Sequence, residues 1–181
     1  GDFSRRAMIH RMNGDLANDL GNLSQRVLSM IFKNCSGVMP ALPATAVPQD
    51  SALLDAADAM LGKVRAHMDV QSFHEALRCI WEVVSDANKY VDTTAPWGLK
   101  KTDPVRMGEV LAVLAETIRQ AAILVQPVMP GSASKILDQL GVADDQRGFD
   151  MLAGAGRIAA GVEISKPEPV FPRFVEEEGE V

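Results

Sequence analysis

Apolar residues recur at helical spacing in four long stretches of this chain. Leu16, Leu20, Leu23, Val27 and Ile31 lie three or four residues apart, which predicts a helix with one apolar face ending near Asn34. Upstream, Ser4 is a fitting N-cap for a helix to about Asn13. Asn13-Gly14-Asp15 then predicts a break, with Asp15 capping the long helix after it. Gly37 and Pro40 end the first long stretch, and Pro40, Pro43 and Pro48 make residues 36–49 an extended loop. A second helix is predicted from about Asp50 to Met68, with Leu54, Ala57, Leu61, Val64 and Met68 inward. A third runs from about Ser72 to Val91, carrying Phe73, Leu77, Ile80, Val84, Ala87 and Val91 on one face. A fourth starts at Pro104, a good first-turn residue, and carries Met107, Leu111, Leu114, Ile118, Ala121 and Val125. Gln126-Pro127 ends it and Met129-Pro130-Gly131 makes a turn. A shorter helix capped by Ser132 or Ser134 runs through Leu140 and closes at Gly141.

Beyond Gly141 the periodicity fades. Gly148, Gly154, Gly156 and Gly161 interrupt it, and Pro167, Pro169 and Pro172 predict extended chain. Arg157 to Ile164 has the character of a short strand, and residues 174–181 form an acidic, frayed tail. The pattern predicts an all-α fold: a bundle of about five helices with an irregular C-terminal segment, in one domain over residues 1–181.

Composition narrows this only a little. A chain of 181 residues, 47% apolar and 23% charged, suits one soluble domain with a sizeable core. Aromatics make up 5%, which favours helices packed on helices. Nothing approaches the ~18 apolar residues of a membrane span, so no membrane partner is expected. Arg5, Arg6, His10 and Arg11 interrupt any signal-peptide pattern. Cys35 and Cys79 make no disulfide framework, which points to a reduced, cytoplasmic setting. The net charge of −6 argues against a general polyanion binder. Residues 1–106 hold 12 basic and 12 acidic groups, whereas residues 107–181 hold 6 and 12. Any nucleic-acid contact therefore belongs to the first half, and reads bases rather than wrapping phosphates.

No catalytic constellation stands out. His10, His67 and His74 are scattered, without the neighbouring ligands a zinc site needs. Cys35 has no obvious base, and Cys79 beside Ile80 reads as a packed thiol. Gly154-Ala155-Gly156 lacks the third glycine and the preceding strand of a dinucleotide fingerprint, and there is no phosphate loop. Asp55, Asp58, Glu75 and Glu82 fit solvated helix faces.

Two features carry binding chemistry. The third helix closes at Pro96-Trp97, which sets one of the chain's two tryptophans on a proline-braced corner; the other, Trp81, falls in the helical stripe and reads as core. An indole at such a corner either plugs the end of the bundle or offers its face to a nucleic-acid base. On the first long helix, Asn18, Asn22, Arg26 and Ser29 share the face opposite Leu16, Leu20, Leu23 and Val27. Asn and Arg side chains match base edges and phosphates, although the same stripe also suits a solvated helix back. Gly21, costly inside an exposed helix, implies close approach of a neighbour there.

The run Asp15-Leu16-Ala17-Asn18-Asp19-Leu20-Gly21-Asn22-Leu23, followed by Arg26, resembles the first anticodon-domain helix of methionyl-tRNA synthetases. Ala87-Asn88-Lys89-Tyr90-Val91-Asp92 with Ala95-Pro96-Trp97 resembles that family's second signature. Pro127-Val128-Met129-Pro130 resembles its later inter-helix turn, and Phe171-Pro172-Arg173 its closing segment. The resemblance implies the anticodon-binding bundle of class I synthetases and a module that checks the CAU anticodon of methionine tRNA. It implies that Trp97 stacks on an unpaired base, that Asn22 bonds a base edge, that Arg26 meets base or phosphate, and that Pro96 holds the indole. Asn18, Asn88 and Tyr90 are supporting candidates. The family's catalytic motifs do not occur, so the chain reads as a module of a larger ligase that joins methionine to tRNA using ATP with Mg. Residues 1–3 read as a remnant of the linker from that catalytic domain, which is itself an expected partner. In the fragment itself no catalytic residue, metal site or cofactor is expected. Two alternatives remain: the bundle of a sister synthetase for leucine, valine or isoleucine, or a helical protein-interaction module with Trp97 as a buried plug.

Overall fold

The computed structural model describes residues 1–170; Phe171-Pro172-Arg173 and the acidic tail lie outside the described residues. The elements are α1 (Asp2–Asn34), α2 (Pro48–Asp69), α3 (Phe73–Thr94), the single-turn α4 (Pro96–Leu99), α5 (Pro104–Val125) and α6 (Pro130–Gln139). Single 3-10 turns occur at Asp144–Gln146, Phe149–Met151 and Gly154–Gly156. The expected all-α bundle is present.

Cross-links between helices fix their directions. Asp19 meets Trp81 and Arg26 meets Asp92, so α1 and α3 run parallel. Asp50 meets both Tyr90 and Arg106, so the start of α2, the end of α3 and the start of α5 share one end of the bundle. The start of α1, the end of α2, the start of α3 and the end of α5 share the other. Helix α5 runs through the middle and is buried on every side from Val110 to Val125. Such burial needs apolar neighbours all round, and α1, α2, α3 and α6 supply them.

Four polar side chains travel into the core with α5: Glu116, Thr117, Arg119 and Gln120. Buried charges need partners. Arg119 grips Glu116 with two bonds of 2.8 and 2.9 Å, and donates to the carbonyls of Met151 and Leu152 at 2.7 Å each. Gln120 donates to Glu116 and Asp58, and the amide of Ile158 donates to Glu116. Arg157 closes the set on Asp58 at 2.6 Å. This network fastens the irregular C-terminal segment over α5. Asp58 is therefore a structural ligand rather than part of a solvated face.

Several sequence expectations are corrected. Helix α1 does not break at Asn13-Gly14-Asp15; it runs unbroken for 33 residues. One glycine costs only about 1 kcal/mol in a helix interior, and the burial of Leu16, Ala17 and Leu20 just beyond outweighs it. Neither Ser4 nor Asp15 caps a helix, and Asp2 and Phe3, read as linker, already lie in the first turn. Helix α6 begins at Pro130 behind Met129, so neither Ser132 nor Ser134 is its cap. The strand expected in residues 157–164 reduces to one antiparallel bridge, Glu163 with Val38. It ties the C-terminal segment to the 36–49 loop, where Met39 and Gly161 also bond across. Trp81 is only half-buried, because its indole N–H reaches Asp19 at 2.6 Å on the bundle surface. Met68 and Phe73, expected inward, are 44% and 46% exposed.

Candidate nucleic-acid interface

The corner between α3 and α5 is built by its backbone. Helix α3 ends at Ala95, which adopts the left-handed conformation (φ 44, ψ 60) and returns its amide to the Val91 carbonyl at 2.9 Å. A non-glycine residue held there costs on the order of 1–3 kcal/mol. Pro96 is the first residue of α4, where its missing N–H is no loss and its ring is buried. The chain therefore turns sharply, and the next side chain, Trp97, stands 51% exposed. The plug reading of Trp97 does not hold.

Behind the corner sits a buried cluster that the sequence pattern did not reveal. The fully buried carboxylate of Asp50 accepts the Tyr90 hydroxyl at 2.6 Å. It also accepts two bonds from Arg106, at 2.7 and 2.9 Å. Burial alone would raise the Asp50 carboxyl, but Arg106 and Tyr90 outweigh it and hold it below the ordinary carboxylate value. Burial and the Asp50 hydrogen bond push the Tyr90 phenol well above its usual value, so its proton stays in place. This cluster pins the end of α3 and the start of α5 to the start of α2, on both sides of the Trp97 turn.

Helix α1 presents its polar stripe beside this corner. Asn18, Asn22 and Arg26 are exposed, and Ser29 is half-buried, opposite the buried Leu16, Leu20, Leu23 and Val27. Gly21 is buried, consistent with a close neighbour. The Arg26 guanidinium lies over the Trp97 ring, 5.2 Å from its centroid, and its Nη2 donates to Asp92 at 3.2 Å. Both members of that ion pair are largely exposed, so solvent leaves it about 0–1 kcal/mol, and the contact with the ring adds about 0.5–1 kcal/mol. Arg26 is thus placed over the indole but loosely held. Asn22 lies one helical turn before it on the same row.

The supporting candidates fall differently. Asn18 is exposed and extends the stripe. Asn88 is half-buried and bonds back to the Val84 carbonyl of its own helix at 3.2 Å. Tyr90 is buried with its hydroxyl taken by Asp50, so it supports the corner from behind. Sequence reasoning gave Asp92, Asp50 and Arg106 no role. Asp92 was visible as the last residue of the second signature run; Asp50 and Arg106 look like ordinary first-turn helix residues. Among the described residues no cluster of His, Cys, Asp and Glu could hold a metal ion, and no helix is long and apolar enough to cross a membrane.

The surface so formed joins an exposed indole, a loosely held guanidinium and a carboxamide on a rigid frame. A family model for the anticodon binding domain of methionyl tRNA ligase matches residues 40–181. The methionine–tRNA ligase of Brucella suis is 51% identical over 177 residues, covering 97% of this chain and 34% of that protein. That of Rhizobium meliloti is 49% identical over 175 residues, again 97% of the chain and 34% of the protein. The solved apo methionyl-tRNA synthetase of Mycobacterium tuberculosis superposes with a TM-score of 0.84 at 46% identity, covering 92% of this chain and 34% of that one. The same enzyme bound to methionyl-adenylate gives 0.83 at 46% identity, covering 92% and 33%. The chain spans about a third of the length of these relatives.

Proposed function

Since the chain belongs to the family of anticodon-binding domains of methionyl-tRNA ligases, we propose that its Trp97–Arg26–Asn22 surface reads the CAU anticodon of methionine tRNA. An unpaired anticodon base stacks on the exposed indole of Trp97. Arg26, held by less than a firm ion pair, turns its planar donors to the base edge or a phosphate. Asn22 supplies a donor and an acceptor one turn away, which suits a Watson–Crick edge. Pro96 and the buried Asp50 cluster hold the indole still, so little order has to be gained on binding. The observation that carries this reading is the exposed Trp97 ring with Arg26 lying over it at 5.2 Å.

The ligase built on this module joins methionine to tRNA in the cytoplasm using ATP with Mg. Anticodon binding then orients the acceptor end toward a distant catalytic domain. The relative solved with methionyl-adenylate supports that chemistry for the family. Nothing in this fragment is assigned a catalytic step or a cofactor.

Binding of a CAU anticodon stem-loop tests the assignment. Trp97→Ala should weaken it by about 1–3 kcal/mol, the worth of one stacked base, with the unfolding midpoint unchanged because the ring is half in solvent. An unchanged affinity would reject the role given to Trp97. Replacing the anticodon of the stem-loop separates this reading from that of a sister synthetase, which would prefer another triplet.

A further inference from the structure

At the Trp97 end of the bundle, a pocket of ≈ 480 Å³ opens between the end of α1, the 36–49 loop and the start of α5. Asn34 and Cys35 line it from α1, Pro40 from the loop, and Pro104, Val105 and Glu109 from α5. The loop wall is held from behind. The Met39 amide donates to the Val162 carbonyl at 2.8 Å, the Gly161 amide to the Met39 carbonyl at 2.9 Å, and the Ile164 amide to the Gly37 carbonyl at 2.8 Å. The loop also approaches α5 so closely that a Cβ on Gly108 would lie 3.3 Å from the Pro40 ring. Small-molecule sites run from roughly 300 to 1,000 Å³ and set a few polar groups among apolar walls. This pocket has both properties. Val105 is 73% exposed although it is apolar. Burial pushes the Cys35 thiol up, so it stays protonated and offers an uncharged wall. The Asn34 amide makes no side-chain hydrogen bond among the described residues. The Glu109 carboxylate accepts one bond from Arg106, at 3.3 Å, and is partly exposed.

We propose that this pocket takes the base of an anticodon-loop nucleotide outside the CAU triplet, and that it favours a base with an exocyclic amino group. This rests on the anticodon reading above. Three observations choose the ligand. The first is position. Asn34 lies eight residues beyond Arg26 on the unbroken α1, about 12 Å at 1.5 Å per residue, and Pro104 follows Trp97 across one short turn. That is a short reach for single-stranded RNA whose neighbouring base is stacked on Trp97. The second is shape. Two proline rings and Val105 give apolar walls that suit the flat face of a base, with no cation to draw in a phosphate instead. The third is the polar pair. Glu109 repels phosphate and accepts an N–H, so the backbone stays outside while an amino-bearing edge enters. Asn34 supplies a donor and an acceptor to complete that edge. Uracil has no exocyclic amine and would leave the carboxylate unmatched.

Abasic scanning of a CAU stem-loop against the full-length ligase tests this. Each loop nucleotide outside the triplet is replaced in turn by an abasic residue. At one position the affinity should fall about fivefold or more, the effect of one lost stacked base. Among the four bases at that position, uracil should bind weakest. Asn34→Ala and Val105→Ser should each weaken binding of the intact stem-loop. In either variant the abasic replacement should cost less than about twofold further, because base and pocket no longer meet. Both side chains lie at helix ends and neither is buried, so the fold should hold, and an unchanged preference for CAU over exchanged triplets checks that the Trp97 corner is intact. Three results would each overturn the proposal. No position outside the triplet matters, or uracil binds as well as the other bases; the abasic loss persists undiminished in both variants, so that base is held elsewhere; or Asn34→Ala abolishes the preference for CAU, so Asn34 reads the triplet itself. Failure of the anticodon reading shows separately, as indifference of the parent ligase to exchange of the triplet.

Discussion

Asp50 is the side chain on which the interface's geometry depends most. It is fully buried and satisfied by Tyr90 and by both terminal nitrogens of Arg106. Removing one partner of a buried pair leaves a charge stranded, which costs about 3–5 kcal/mol. Arg106→Ala should therefore lower unfolding stability by about 3 kcal/mol in urea titration; a loss below about 1 kcal/mol would mean the carboxylate finds water or another partner. The pH dependence has a defined sign. The folded value of Asp50 lies below its unfolded value of about 3.9, so the unfolded chain binds more protons and stability rises with pH. The contribution is complete above about pH 5 and is lost as pH falls through the lowered folded value. Melting temperature measured between pH 2 and 6 should fall less steeply for Asp50→Asn than for the parent; parallel curves would contradict the assignment. None of this was legible from periodicity. The three residues are 40 and 56 apart in pairs, and each alone resembles a common helix-end residue. The exposed pair was legible in half: helical phase places Arg26 opposite the apolar row, and Pro96 marks a corner. That the two meet depends on the parallel packing of α1 and α3, which spacing along one helix does not encode.

Helix α1 shows where local signals mislead. Asn13-Gly14-Asp15 has the composition of a turn, yet the helix passes straight through. A methyl group at Gly14 would meet nothing within 4 Å. Gly14→Ala should then raise stability by about 0.5–1 kcal/mol, from helix propensity and a less free unfolded chain. Thermal unfolding measures it, and a destabilised variant would mean that the helix is bent or broken there in solution. Gly141 behaves oppositely: its φ is +74 and a Cβ would lie 2.7 Å from Val162, so alanine there should destabilise. The long helices α2 and α3 were readable because one apolar face repeats along them, and α5 because its apolar positions recur at helical spacing after Pro104, although it is buried on every side. The C-terminal segment was not, since its anchors are the buried Glu116–Arg119–Gln120 network and carbonyls of Met151 and Leu152 rather than a periodic apolar face. Glu116, Arg119 and Gln120 are visible in the α5 sequence, but their burial is not. Arg119→Met should loosen this segment first, seen as faster amide exchange at Ile158 and Ile164 than in α1; uniform exchange across both would contradict that order.

At the scale of the molecule, the bundle has two distinct ends. One holds an aromatic corner braced by buried ions and a loosely held arginine; the other holds an apolar groove. The charge balance fits a reader of a few bases more than a wrapper of phosphates, since the net charge is −6, and the affinity should fall with salt less steeply than for a protein making many phosphate contacts. The most direct test of the central claim uses the indole itself as the probe. In a Trp81→Phe background Trp97 is the only tryptophan. Its fluorescence should be quenched saturably by a CAU anticodon stem-loop, with an affinity at least tenfold higher than for stem-loops whose anticodon is exchanged. Quenching that is absent, or equal for CAU and for the exchanged triplets, would contradict an anticodon read at Trp97.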